Sequence, residues 1–478
     1  MLINQLNDII EGIGFLSFEI SLAAGALISL VVGLISKRTV VSQFVFVLVL
    51  LVSLFLIPQH IEDQFLFGDV LWIDNLGRIF KLLFIVTAVW IVFFPNAKNH
   101  PPEFYFLVIA ILLGSSLMLS ANQLLSIYLV VELTSFAAYI ITNFNFRKQS
   151  FEAGMKYLIF GGVSSALALY GASLIYGFTG TLTLSEMNFD MVSQPALLNV
   201  GILLFAGSLF FKVSLVPFHI WVPTAYQEAP TDSVLVLSVI PKVAGFVLLH
   251  RVLTVVNVQE LYWMYAIMVT LGVVTVVMGT LGALRQTNLK RLIAYGAIAH
   301  SGFFMAALLV PFEQGVTAFT WYAVVYAIMN LATFYLISVF ETQGIDDLDG
   351  LSGYYKTDAY LGGLAVIVMI SLIGLPPTAG FTAKFYLFTV MWDWYQRLSD
   401  PLMLTYLVVA MLSIVFSLFF YLKIPFQIFL KENIQSNPEK PTVIVKLFAT
   451  IFVVALLWIF FTPEILNNIA ENIKTIQW

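Results

Sequence analysis

Fourteen stretches of mostly apolar residues follow one another along the chain. They lie at about 14–35, 40–57, 77–95, 104–120, 122–144, 153–177, 197–222, 231–256, 262–284, 291–310, 314–341, 359–395, 402–425 and 443–462. A helix of roughly 20 such residues crosses the hydrocarbon core of a bilayer. Inside lipid every backbone N–H and C=O must find a partner within the protein, so runs of this length fold as helices. The sequence therefore predicts an all-α polytopic membrane protein. Composition agrees: 60% of the 478 residues are hydrophobic, 10% are charged and mean hydropathy is +0.95, against about 25% charged in a soluble domain. One short segment departs from the pattern. "QFLFGDVLWIDN", residues 64–75, has β-formers on both sides of a Gly-Asp pair and predicts a small hairpin at a membrane edge.

Cysteine is absent, which removes disulfides, thiolate nucleophiles and Cys-ligated zinc or iron–sulfur clusters. The formal net charge of −5 is too small to point to nucleic acid. The N-terminal "MLINQLNDIIEGIGF" has neither a basic stretch nor a small-residue cleavage site and reads as mature chain. Basic residues set the expected orientation. With the N-terminus outside, thirteen Lys and Arg fall on the cytoplasmic side, among them Lys37, Lys98, Arg147, Lys148, Arg285 and Arg291. Five fall outside: Arg78, Lys81, Arg251, Arg397 and Lys474. Both termini are thus expected on the outer side.

Four basic residues fit neither group. Lys156, Lys212, Lys242 and Lys384 lie within spans, as do Glu132 in "LLSIYLVVELTSFAAYI" and His300 in "IAHSGFF". A charge near the bilayer centre costs at least about 2.5–3.5 kcal/mol, so such residues face a protein interior or a wet cavity. Plainer roles compete with function. Lys156 is close enough to a span end to snorkel. Glu132, Lys212, Lys242 and Lys384 could form structural ion pairs, and His300 could bond a neighbouring helix. His219 lies near a helix end, where interfacial histidines are common. The same residue types suit proton transfer. Partial desolvation disfavours their charged forms, and neighbouring sites couple, so protonating one drives a proton off another. The sequence shows no GxxxxGK[ST] loop, no HExxH and no haem-ligating His pair. "GIDDLDGLSG" has the wrong Asp spacing for a calcium loop and reads as a solvated turn.

Two spans carry helix breakers. Span seven contains "KVSLVPFHIWVP" and span twelve "GLPPTAGFTAKF". Proline removes a backbone donor, and the freed groups must be met by water, side chains or neighbouring helices. Span seven is fourth in the set four to eight; span twelve is fourth in the set nine to thirteen. Sets of five insert with opposite topology, so the pattern predicts an inverted repeat, the mark of many transporters. The prolines could instead only bend packed helices. The expected divisions are 1–103 (three helices), 104–256 (first five-helix repeat), 257–425 (second, inverted) and 426–478 (last helix and tail), each repeat holding a proton half-channel.

These segments, with "IYLVVELTSFAAYIIT", "FKVSLVPFHIWVPTAYQEAPT", "SVIPKVAGF", "LKRLIAYGAIAHSGF" and "GLPPTAGFTAKFYLF", resemble the antiporter-like membrane subunits of respiratory complex I. The wording of the last segment, the lysine at 384 and an end after fourteen spans resemble the branch of bacterial subunit N and mitochondrial subunit 2. The resemblance covers about residues 104–425 most strongly. It implies a proton-translocating subunit of NADH:quinone oxidoreductase with a relay of Glu132, Lys156, Lys212, Lys242, His300 and Lys384. It further implies that NAD, FMN, iron–sulfur clusters and quinone are bound by other subunits, with no cofactor or metal in this chain. The implied partners are M-, K- and J-like membrane subunits, the lateral helix of an L-like subunit and lipids, in a bacterial inner membrane. "APTDSVLVL" departs from the family in having Asp232 where proline is expected; Asp232 either supports proton entry or caps the helix. Two other functions stay open. An Mrp-type cation/proton antiporter would need a carboxylate-rich sodium site, and a purely structural subunit would use its charges to hold helices together.

Overall fold

The computed structural model describes residues 12–57, 63–97, 100–187, 196–258, 260–310, 312–432, 440–464 and 466. The N-terminal residues 1–11 read as mature chain, and the orientation-setting Lys98 and Lys474, lie outside the described residues. The chain is a helical polytopic membrane protein. Four helices come first: α1 (Ser17–Ser36), α2 (Thr39–Phe55), α3 (Asn75–Val89) and α4 (Pro102–Met118). Then follow α5 (Leu124–Thr142), α6 (Lys148–Thr179), α7 (Ala196–Lys212), α8 (Trp221–Glu228), α9 (Thr231–Val255), α10 (Tyr262–Ala283), α11 (Leu289–Leu308) and α12 (Phe312–Thr342). The chain continues through α13 (Tyr355–Ile373), α14 (Ala379–Leu398), α15 (Pro401–Tyr421), α16 (Lys423–Leu430) and α17 (Val443–Phe461). Among the described residues eleven helical segments are long and apolar enough to cross a membrane, and three shorter apolar ones are Thr39–Phe55, Pro102–Met118 and Ala196–Lys212.

Burial sorts the helices. α9, α11 and α12 are almost wholly enclosed, whereas α1, α6, α15 and α17 show most of their surface to the outside. The outer helices are apolar on their exposed faces too, as at Ile35, Phe55 and Val443, which is the pattern lipid contact requires. Small residues let helices close up. A Cβ on Gly171 of α6 would stand 2.6 Å from the backbone N of Phe205 in α7, so only glycine permits that approach.

The expected hairpin is present. β1 (Gln64–Leu66) pairs antiparallel with β2 (Leu71–Ile73), in register Gln64↔Ile73 and Leu66↔Leu71. It is tied to the α4–α5 connection by Trp72 N to Ser120 O at 2.7 Å and Asn122 N to Val70 O at 3.0 Å. Asp74 caps α3, accepting from Gly77 N at 2.8 Å. The residues 344–353 form a turn with a short 3-10 segment, in which Asp347 Oδ1 accepts from Gly350 N at 2.9 Å.

The interruption expected in span twelve divides it into two helices of 19 and 20 residues joined at 374–378. The second carries Lys384, Asp393 and Arg397. Two local expectations are corrected. α6 begins at Lys148, five residues before its expected start, so Lys156 is about two turns into the helix. Asp232 is not the cap of α9. That position is Pro230, and Asp232 is in the first turn with its carboxylate bonded to His100.

Candidate functional site

Both expected interruptions are present: the first begins just after Lys212, and the second lies between Ile373 and Ala379, one to two turns before Lys384. α7 stops at Lys212, and the chain runs irregularly through 213–220 before α8. The peptide bond before Pro217 is cis, as is that between Pro376 and Pro377. The freed backbone groups are met by protein. Trp221 Nε1 donates to Phe211 O at 3.2 Å, and Val216 N donates to Thr275 Oγ1 at 3.0 Å. Lys212 turns to α5, where its Nζ donates to Ser135 Oγ at 3.1 Å. Ser135 is one helical turn beyond Glu132, whose carboxylate accepts from Ser165 Oγ of α6. Ser135 Oγ in turn donates to Val131 O at 2.6 Å, and among the described residues Glu132 and Lys212 form no direct ion pair. A cavity of about 10 Å³, the size that admits one water, is lined by Glu132, Ser135, Ser164 and Ser165.

Lys212 also reaches the central helix. A Cβ on Gly245 of α9 would stand 3.3 Å from Lys212 Cγ, so this glycine makes room for the lysine stem. Gly245 is one turn from Lys242 on the same helix. Lys242 Nζ donates to Ala297 O of α11 at 3.1 Å and lies 6.0 Å from the centre of the Tyr326 ring. Pro241, inside α9 just before it, withdraws one backbone donor from the helix ladder. Ala297 is one turn before His300, whose Nδ1 is 2.6 Å from Tyr322 OH of α12.

A second cavity of about 10 Å³ joins His300 to Lys384 and is also lined by Phe303, Leu372 and Ser413. Lys384 Nζ donates to Leu372 O and Ile373 O, both at 2.9 Å. These carbonyls end α13, where no further turn of helix donates to them, and the helix dipole there favours a cation. Gly374 has φ 90°, and a Cβ on it would stand 2.6 Å from Lys384 Cδ. Glycine is needed there both for the backbone and for the lysine.

Five of the six sequence-selected residues thus fall on one path, Glu132, Lys212, Lys242, His300 and Lys384. The sixth, Lys156, is exposed on the flank of α6 and lines a separate cavity with His219 and Arg291. Sequence reasoning missed Ser135, Ser165, Tyr322 and Tyr326. The tyrosines recur four residues apart, a weak signal in a chain with 20 of them. It also missed a distinction among buried cations. Lys81 pairs with Glu19 at 2.7 Å, Lys290 with Glu341 at 2.9 Å and Arg251 with Asp74 at 2.8 Å. Among the described residues Lys212, Lys242 and Lys384 pair with no carboxylate. No group of three or more His, Cys, Asp or Glu placed to hold a metal occurs among the described residues.

A buried file of lysines between two interrupted helices, in a bundle faced with lipid-type surface, defines an antiporter-like polytopic membrane protein. The family described as NADH:quinone oxidoreductase/Mrp antiporter, transmembrane, matches residues 121–412. NADH-quinone oxidoreductase subunit N 2 of Chloroherpeton thalassium is 34% identical over 83% of this chain and 81% of that protein. Subunit N of Pelagibacter ubique is 31% identical over 98% of this chain and 100% of that protein. A chain of respiratory complex I from Thermus thermophilus superposes with TM-score 0.78 at 29% identity, covering 94% of this chain and 98% of that one. This chain belongs to the NADH:quinone oxidoreductase/Mrp antiporter family, in its subunit N branch.

Proposed function

We propose that this chain moves protons through the Glu132–Lys212–Lys242–His300–Lys384 path as the subunit N of a respiratory complex I. The observation that carries the reading is the contrast within the buried cations. A lysine paired with a carboxylate is held charged, whereas one bonded only to serine or carbonyl oxygens can lose its proton at lower cost. In this mechanism a change at Glu132 alters the proton affinity of Lys212 across Ser135. The proton passes to Lys242, then along His300 and the adjoining cavity to Lys384 and out. Lys156 serves at the exposed, basic-end margin of the relay. Redox chemistry with NAD, FMN, iron–sulfur clusters and quinone belongs to other subunits.

The finer architecture is part of the same proposal. Taking α7 with α8, α13 with α14 and α15 with α16 as single spans gives fourteen spans among the described residues. The halves 104–256 and 257–425 are inverted repeats, each with one interrupted helix, flanked by the segments 1–103 and 426–478. The richly basic end faces the cytoplasm and both termini face the outside of a bacterial inner membrane. The neighbours are M-, K- and J-like membrane subunits and the lateral helix of an L-like subunit.

The test is Lys242→Met in the complete complex. The expected result is a lowered proton-to-electron ratio at normal abundance of the assembled complex. A normal ratio in the assembled variant would overturn the relay. Cation-driven proton exchange by the isolated chain in vesicles would favour an Mrp-type antiporter instead.

A further inference from the structure

Glu19, Asp74, Glu341, Asp349 and Asp358 each pair with a lysine or an arginine. Asp232, in the first turn of α9, pairs instead with His100, whose Nε2 meets its Oδ2. Lysine and arginine keep their charge at neutral pH, whereas histidine gains and loses a proton between about pH 5 and 8. The pair is graded in depth. The His100 side chain keeps 9% of its exposure and that of Asp232 1%, so the base lies nearer the surface than the acid. His100 stacks on Phe104 of α4 with ring centres 3.9 Å apart. Tyr105 OH pins the same segment by donating to Ala97 O at 2.8 Å.

The pair sits at the basic end of the bundle, the end proposed to face the cytoplasm. Thr231, the residue before Asp232, donates from its hydroxyl to Glu341, which pairs with Lys290. The start of α6 is at the same end, where Asn145 Nδ2 and Ser150 Oγ donate to Glu228 O at 2.6 and 3.2 Å. The titratable and charged groups around the pair are thus Tyr105 of α4, Lys290 of α11 and Glu341 of α12. Lys290 and Glu341 are committed to each other, which leaves the Asp232 charge to His100.

Lys242 is ten residues farther along α9, about 15 Å of helix. Ser233 and Ser238 are the polar side chains in between, and both are fully buried. Ser233 N donates to Asp232 Oδ1 at 3.1 Å, and among the described residues Ser233 Oγ has no hydrogen-bond partner. Ser238, one turn before Lys242, donates to Leu235 O at 2.9 Å and can still accept. Pro241 has no N–H, so the helix ladder brings no donor to Leu237 O. Buried polar groups left without a protein partner are met by water, and these three lie between Asp232 and Lys242.

We propose, resting on the relay already assigned, that His100 and Asp232 are its proton inlet. They take one proton from the cytoplasmic side and pass it along Ser233 and Ser238 to Lys242. Uptake forms one N–H bond on His100. Delivery breaks that bond as an N–H bond forms on neutral Lys242, so the pair ends as it began. Asp232 holds the imidazolium in the interval.

The experiment uses the full chain within its assembled complex, in vesicles made permeable to protons, with NADH:quinone turnover read across pH. His100→Gln keeps a hydrogen-bond donor for Asp232 but has no titratable ring, so the tie between α9 and the segment before α4 survives. At about pH 6 its turnover should match that of the unaltered complex, because protons are plentiful below the histidine range. At about pH 8.5 it should be about tenfold slower, less than the about 10²–10⁴-fold that a positioned acid–base group contributes, since water still supplies some protons. Asp232→Asn should lose the same alkaline limb, and Asp232→Glu should keep it. A His100→Gln profile that matches the unaltered complex at every pH would overturn the inlet. Slowing by one constant factor at every pH would also overturn it, by making the pair a structural tie. Either failure leaves the relay standing, because its own test is the proton-to-electron ratio of Lys242→Met.

Discussion

The molecule buries lysines in two ways. Lys81 meets Glu19 and Lys290 meets Glu341, each within 3 Å and each joining two helices. Lys290 Nζ also donates to Ala229 O at 2.8 Å, and Glu341 accepts from Thr231 Oγ1. Lys212, Lys242 and Lys384 are as deeply buried, but their ammonium groups donate only to hydroxyl and carbonyl oxygens. The first arrangement holds helices together through an ion pair. The second holds a lysine in position with no counter-charge. Burial alone therefore does not separate the two groups; the counter-charge does.

That contrast breaks or sharpens under substitution. The largest effect on stability belongs to Lys81→Met. It strands Glu19 as a buried carboxylate without its cation, a loss of about 3–5 kcal/mol. The amount of assembled complex on a native gel should fall sharply, while the surviving complex keeps its proton-to-electron ratio. The reverse pattern, normal abundance with lost pumping, would put Lys81 in the relay and dissolve the contrast. Lys384→Met comes next. It leaves Leu372 O and Ile373 O without their donor at the end of α13, at about 1–3 kcal/mol for a buried unsatisfied group. Detergent-solubilised complex should melt earlier, and proton translocation should be lost in what remains. Ser135→Ala is the mildest. It removes the hydroxyl that accepts from Lys212 Nζ, one turn from Glu132, a bond worth about 0.5–1.5 kcal/mol. Pumping should slow a few-fold with abundance unchanged, and adding Glu132→Gln should slow it less than the two single effects predict. Strict additivity in that double variant would uncouple Glu132 from Lys212.

The two interruptions teach a second lesson. Lys212 is the last residue of the helix before its break, while Lys384 is in the helix after its own. At the first break Trp221 and Thr275 satisfy the backbone, leaving Lys212 to reach across to α5. At the second the lysine itself caps the broken helix. Proline and glycine in "KVSLVPFHIWVP" and "GLPPTAGFTAKF" announce both breaks, because backbone chemistry is local. Which group satisfies the freed carbonyls depends on a neighbour and is not written in either segment. Asp232 makes the same point. Its position near the start of α9 suggested a cap, but His100, brought in ahead of α4, binds its carboxylate instead.

The sequence by itself determined the helical membrane fold, the hairpin at 64–73, the two interruptions and the list of charges that had no business in lipid. Each of these follows from short-range properties: apolar length, turn chemistry, and the presence of an ionisable side chain within a span. Only the tertiary structure decided which buried lysines are paired. Glu19 and Lys81 are on different helices, and their meeting depends on how α1 and α3 are rotated and offset. The facing of α6 likewise sends Lys156 to the flank beside His219 and Arg291 rather than inward. A side chain's depth can be read from its place in a span. Its direction around the helix axis counts only once the neighbouring helices are in position, and they supply the partners that set its chemistry.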